Sequence, residues 1–162
     1  MKDKILAWHF LTEKGIPGSG HYRRPLTAGS VCRFRGQPEL CYRGLHASRR
    51  AIDALGYAPG PVVCRVELSG VIVFGDDKLV GQTRRIIAMA DASTVLHEFA
   101  CDVASAALVA TGVTDDRCHK AIAVKRLWLL GQATDTELAA AREAAEEAAA
   151  GATWAAAWAA EG

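Results

Sequence analysis

The sequence predicts an α+β protein: a small, mainly antiparallel sheet with one short helix, followed by a three-helix C-terminal unit. Three observations carry this. The first ninety residues are punctuated by glycine and proline clusters, and between them apolar and polar side chains alternate, the period-two pattern of half-buried strands. At Asp91 the spacing of apolar residues changes to the 3.6 period of an amphipathic helix. The tail is rich in alanine, the residue that costs least in a helix. A length of 162 residues with 51% apolar content suffices for one core, or for a compact domain with a helical appendage. The expected division is a β-rich basic domain over 1–90 and an acidic, alanine-rich helical unit over 91–162.

Each element follows from its own residues. KILAWHFL is a first apolar strand and GIPGSG a turn cluster. SVCRFRG sets Val31, Cys32 and Phe34 among arginines, as a strand with one wet face would. ELCYRGLHAS is expected to be extended. SRRAIDALGY is expected to be a short helix, with Ser48 as N-cap and Gly56 as its stop. VVCRVELSG and VIVFGDDK read as two β-branched strands at the centre of the sheet, and QTRRIIAMA as an edge strand whose paired arginines discourage association. STVLHEFACDVASAALVATG is a helix capped by Ser93 and stopped by Gly112, with Leu96, Phe99, Ala100, Val103 and Ala107 on its packing face. Asp115 and Asp116 open a second helix, in which Lys125 and Arg126 complement the C-terminal end of the dipole. Thr134 and Glu137 form a capping box for a third. Trp154 and Trp158, at i, i+4 on an alanine background, are partner-contact candidates: they dock on the preceding helices, on a second copy, or on a partner.

The net charge of +1 hides an asymmetry: residues 1–90 hold 14 Lys and Arg against 7 Asp and Glu, whereas residues 91–162 hold 5 against 11. Between His21 and Arg50, seven arginines face only Glu39. Guanidinium groups suit phosphate or carboxylate, so an anionic partner is expected, with segment 21–50 as a nucleic-acid contact. Five cysteines without a C-x-x-C pair point to reduced thiols. The N-terminal segment lacks a secretory apolar core, so the expected location is the cytoplasm, with no membrane partner.

Three kinds of chemistry have candidate residues. His97 and Cys101 at i, i+4, followed by Cys118 and His119, are of metal-ligand type, but the spacing matches no common zinc module, so no metal is expected. Cys41 and His46 are a nucleophile and a base in type. In an extended strand they would stand roughly 17 Å apart on opposite faces, unless the chain bends sharply at Gly44. Arginine-rich strands interleaved with Tyr22, Phe34, Tyr42 and Tyr57 offer phosphate contacts and base stacking. The ligand-binding candidates are Arg35, Arg43, His46, Ser48, Arg49, Arg50 and Lys78.

The run CYRGLHAS, then ALGY, then CRVELSGVIVFGDDKLVGQTRRII, resembles a family of phage and bacterial proteins of uncharacterised activity. Its pattern is C-x-x-G-[FL]-H-[AC]-[CS], a helix, V-E-x-x-G, and D-x-K before an apolar strand. The matching residues are Cys41, Gly44, Leu45, His46, Ala47 and Ser48, then Val66, Glu67 and Gly70, then Asp76, Asp77 and Lys78. LHEFACDVA with DDRCHKAIAVKRLWLLGQATDTELAAAREAA looks like the helical module of bacterial immunity-type proteins, with Cys118 where that module carries proline. Together these resemblances imply a phage or prophage accessory protein. The expected role is noncatalytic, the binding of a host or phage macromolecule, protein or protein–nucleic acid complex, with inhibition of a bacterial defence system as one outcome. A homo-oligomer is compatible with this. The order G-L-H-A-S, short helix, Y-x-P-G turn and V-x-R-V-E-L strand is also similar to the middle of ADP-ribosyltransferase folds. That resemblance implies NAD as cofactor, with His46 and Ser48 lining its pocket and Arg43, Arg49 or Arg50 near phosphate. It departs from the fold in having no catalytic glutamate on a later strand.

Overall fold

A computed structural model describes residues 4–18 and 22–161, without the side chains of 152–161. The chain divides into two compact units, Met1–Ser93 and Thr94–Gly162. The architecture is α+β, with a mainly antiparallel five-stranded sheet and one short helix followed by three helices.

The first unit holds β1 (Ile5–Leu11), β2 (Val31–Arg33), β3 (Leu45–Ala47), α1 (Ala51–Leu55), β4 (Val62–Phe74) and β5 (Leu79–Asp91). The sheet runs β1-β4-β5-β2, and β3 also pairs with β5. Beyond β3, Ser48 bridges back to Trp8 of β1 through two backbone hydrogen bonds of 2.7 and 2.9 Å, so the sheet curls toward closure. Alternation on β4 turns Val62, Cys64, Val66 and Leu68 inward, where they meet Ala7 and Leu11 of β1 and Leu79 and Ile86 of β5.

Several expectations are corrected here. The two strands expected over 62–78 are one long β4, bulged where Gly70 adopts φ +88. The bulge leaves the Val71 N–H off the ladder, and Gln82 Oε1 accepts from it at 3.1 Å while Gln82 Nε2 donates to the Gly36 carbonyl at 2.9 Å. β5 is not an edge: it pairs with β4, β2 and β3. Ser48 does not cap α1. It is 2% exposed and committed to the Trp8 bridge, and Arg50 occupies the N-cap without a side-chain hydrogen bond. Gly56 does end the helix.

The second unit consists of α2 (Ser93–Thr111), α3 (Asp116–Leu129) and α4 (Asp135–Glu161). The Asp91 carboxylate, not Ser93, receives the first free N–H of α2 at 2.8 Å. The packing face of α2 also differs from expectation. Cys101 is buried and Leu96 half-buried, whereas Phe99, Ala100, Val103 and Ala107 are exposed. Among the described residues, α2 is the helix long and apolar enough to cross a membrane, with mean hydropathy 1.2. Asp115 caps α3 by accepting from the Arg117 N–H at 2.9 Å, and Arg117 holds its carboxyl down to about 2. The capping box of α4 forms in both directions: Thr134 N–H donates to Glu137 Oε2 at 2.7 Å, and Glu137 N–H donates to Thr134 Oγ1 at 3.2 Å. Gly112 and Gly131, at φ +66 and +71, end α2 and follow α3.

Candidate functional site

The segment expected to run extended from Glu39 into β3 instead turns back on itself. Glu39 and Arg43 bridge across the turn at 2.8 and 3.0 Å, Cys41 takes φ +63, and Gly44 takes φ +115. Only glycine fits at 44, because a Cβ there would lie 2.5 Å from Val80 Cγ2 and 3.1 Å from Pro38. This reversal brings His46 onto the backbone of Cys41, whose N–H donates to His46 Nε2 at 3.1 Å. The two residues that an extended strand would separate are thus neighbours, but the imidazole meets the amide and not the thiol. The nearby Gly44 backbone favours the protonated form of the imidazole.

Behind this turn lies Arg84. Its register partners are Cys32 on β2 and Leu68 on β4, both fully buried, and the arginine itself is 3% exposed. Nη1 donates to the His46 carbonyl at 2.7 Å, while Nε is buried without a partner. Its other polar neighbours are the thiols of Cys32 and Cys64 and the phenol of Tyr22, so among the described residues no carboxylate offsets the charge. Burial lowers the Arg84 pKa and pushes the Cys64 thiol up to about 11. Nearby His9 is held well below its ordinary value by burial, then by Arg84 and His46, and its Nε2 is also buried without a partner. His46 is lowered by burial, then by Lys78 and Arg84. Both imidazoles are therefore neutral at pH 7.

At the rim, the Lys78 ammonium sits 4.1 Å from the centre of the Tyr57 ring and donates to its hydroxyl at 2.9 Å, and that hydroxyl donates to Asp77. The Tyr57 hydroxyl, then the Cys41 thiol, raise the Lys78 pKa, while Tyr57 lowers that of Asp77. Arg43 lies 3.5 Å from the Glu39 carboxylate and 5.7 Å from the centre of the Tyr42 ring.

His9, Cys41, Arg43, His46, Tyr57, Lys78 and Arg84 are among the residues that line a cavity of about 800 Å³, within the range of small-molecule sites. Its lining carries four permanent cations, Arg33, Arg43, Lys78 and Arg84, two imidazoles and five aromatic rings, and no carboxylate among the described residues. Such a lining suits a ligand that is anionic at one place and planar at another.

Of the ligand-binding candidates, Arg43, His46, Ser48 and Lys78 line the cavity, as do Cys41 and the aromatics Tyr22, Phe34, Tyr42 and Tyr57. Arg35, Arg49 and Arg50 do not. Arg49 lies over Phe74 at 5.0 Å, and Arg50 reaches Asp53 at 3.6 Å. Arg84 and His9 were missed. The signal that could have found Arg84 was the Arg84–Arg85 pair itself, because adjacent strand residues face opposite ways and one arginine of an interior strand must point inward. Glu67 pairs with Lys4 at 3.0 Å and is not in the lining, whereas His46, Ser48 and Arg43, the residues the NAD resemblance implies, all are. His97 stands edge-on to Trp128, and His119 Nε2 is 2.9 Å from the Val113 carbonyl. Among the described residues, no group of three His, Cys, Asp or Glu could hold a metal. Trp154 and Trp158 lie outside the described side chains. No family model, no curated protein sequence and no solved structure matches the chain.

Proposed function

We propose that the N-terminal unit is a binding module for a nucleotide unit, taking its phosphate and its base together, either free or as part of a nucleic acid. On this reading the chain is a noncatalytic accessory protein of phage origin. It acts in the bacterial cytoplasm and uses the contact to engage a host or phage nucleoprotein, such as a component of a defence system. The single observation that carries the binding reading is Arg84: a guanidinium almost without exposure, lining a cavity and lacking an anionic partner among the described residues. An unpaired buried charge costs several kcal/mol, and an anionic ligand offsets that cost. The rim supports the other half of the ligand. Tyr42 is 76% exposed, and its ring is open to stacking by a base.

The test is fluorescence anisotropy of a labelled short single-stranded oligonucleotide against increasing salt. Association is expected to weaken with a log–log slope of about −2 to −3, corresponding to three or four phosphate contacts. Arg84→Gln and Lys78→Met should each reduce affinity. Turnover of NAD by the wild-type protein, abolished in His46→Ala, would replace this reading with the ADP-ribosyltransferase-like one.

A further inference from the structure

We infer that the deep end of the cavity is a phosphate-monoester subsite, so that the nucleotide unit it takes bears a terminal phosphate and is not an internal stretch of strand; this rests on the nucleotide-binding reading above. The lining cations differ in how far they are already compensated. Arg43 has Glu39 at 3.5 Å, Lys78 has the Tyr57 hydroxyl with Asp77 behind it, and Arg33 is exposed to solvent. Among the described residues, Arg84, the deepest of them, has a backbone carbonyl, two thiols, a phenol and imidazoles around it and no carboxylate. The strongest negative charge on a ligand therefore belongs at Arg84.

An internal phosphodiester carries one negative charge and continues in two directions, so it needs an open groove with solvent-facing cations along it. A terminal phosphate carries about −1.5 to −2 at pH 7 and leaves the chain in one direction only, which permits end-on entry to a guanidinium 3% exposed. His9 adds a second criterion. Its unpartnered Nε2 is close enough to Arg84 to be influenced by its charge. A monoester satisfies that nitrogen in either tautomer, because it has acceptor oxygens and, near its second pKa of about 6, a proton to donate. A diester has acceptors only.

The experiment titrates the full chain, at constant salt, with one short oligonucleotide in three forms: 5′-phosphorylated, 3′-phosphorylated and hydroxyl-ended. Inorganic phosphate serves as competitor. A phosphorylated end is expected to bind at least about ten-fold more tightly than the hydroxyl-ended form. Inorganic phosphate should cancel that advantage, and Arg84→Gln should remove it. Whichever phosphorylated end gains identifies the source of the monoester. Equal affinity for all three forms overturns the subsite and leaves nucleotide binding standing; binding of none overturns both. The three forms are compared on wild-type protein, so the result does not depend on how Arg84→Gln folds.

Discussion

Arg84 carries its charge at a position that strand alternation gives to the core, between Cys32 and Leu68. A buried ion without a counter-ion opposes folding, so a side chain of similar length without the charge should fold at least as well. Arg84→Met is accordingly expected to melt at or above the wild-type temperature while losing nucleotide affinity. A loss of more than about 2 kcal/mol in the unliganded protein would mean that the guanidinium serves the fold and not a ligand. His9 makes a second prediction. Its folded pKa lies below the ordinary 6.5, whereas the unfolded chain titrates near that value. Below pH 6.5 the unfolded state takes up a proton that the folded state refuses. Stability should therefore decline as pH falls from about 6.5 toward the folded value, by at most about 1.4 kcal/mol per pH unit for this group. Urea unfolding at pH 7.5, 6.5 and 5.5 measures the slope, and His9→Phe should flatten it; an unchanged slope would assign it elsewhere.

The element that decides the site is the turn from Glu39 to Gly44. Its backbone has two residues in the left-handed region, Cys41 and Gly44, and the second has no room for a Cβ. Gly44→Ala should lower stability by about 2 kcal/mol or more, since it adds both positive-φ strain and a clash with Val80. Because this turn sets the Cys41–His46 hydrogen bond, the variant should also lose ligand affinity at temperatures where it remains folded. Chemical denaturation and anisotropy together check this, and an Ala variant as stable as wild type would contradict the geometry. The turn was not legible in sequence. C-Y-R-G-L-H alternates well enough to read as a strand, and the preference of Gly44 for positive φ becomes a requirement only against Val80, thirty-six positions away. The same holds for β5. Its paired arginines read as edge protection, whereas two short strands from earlier in the chain cover that side.

For the molecule as a whole, the described residues that line the cavity lie between 8 and 84, inside the first compact unit. Residues 1–93 expressed alone are therefore expected to fold and to bind the oligonucleotide within about two-fold of the full chain. Circular dichroism and the anisotropy titration would test this. A fragment that folds but does not bind would place part of the site on the helices. The charge division along the sequence acquires a structural meaning here, because the basic stretch contributes Arg33 and Arg43 to the cavity while Arg35, Arg49 and Arg50 stay out of it.

Local chemistry determined a good deal by itself. The α+β class, the change of period near Asp91, the capping box at Thr134 and the glycine stops all depend on residues within a few positions of one another, and sequence spacing reports such contacts directly. Only the tertiary structure decided that Arg84 is buried, that the 39–44 turn folds back, and that His9, His46 and Arg84 meet. The reason is physical. A bulge such as that at Gly70 resets which face each later residue presents, and non-local strand pairing, not spacing, brings positions 9, 33, 46 and 84 around one cavity.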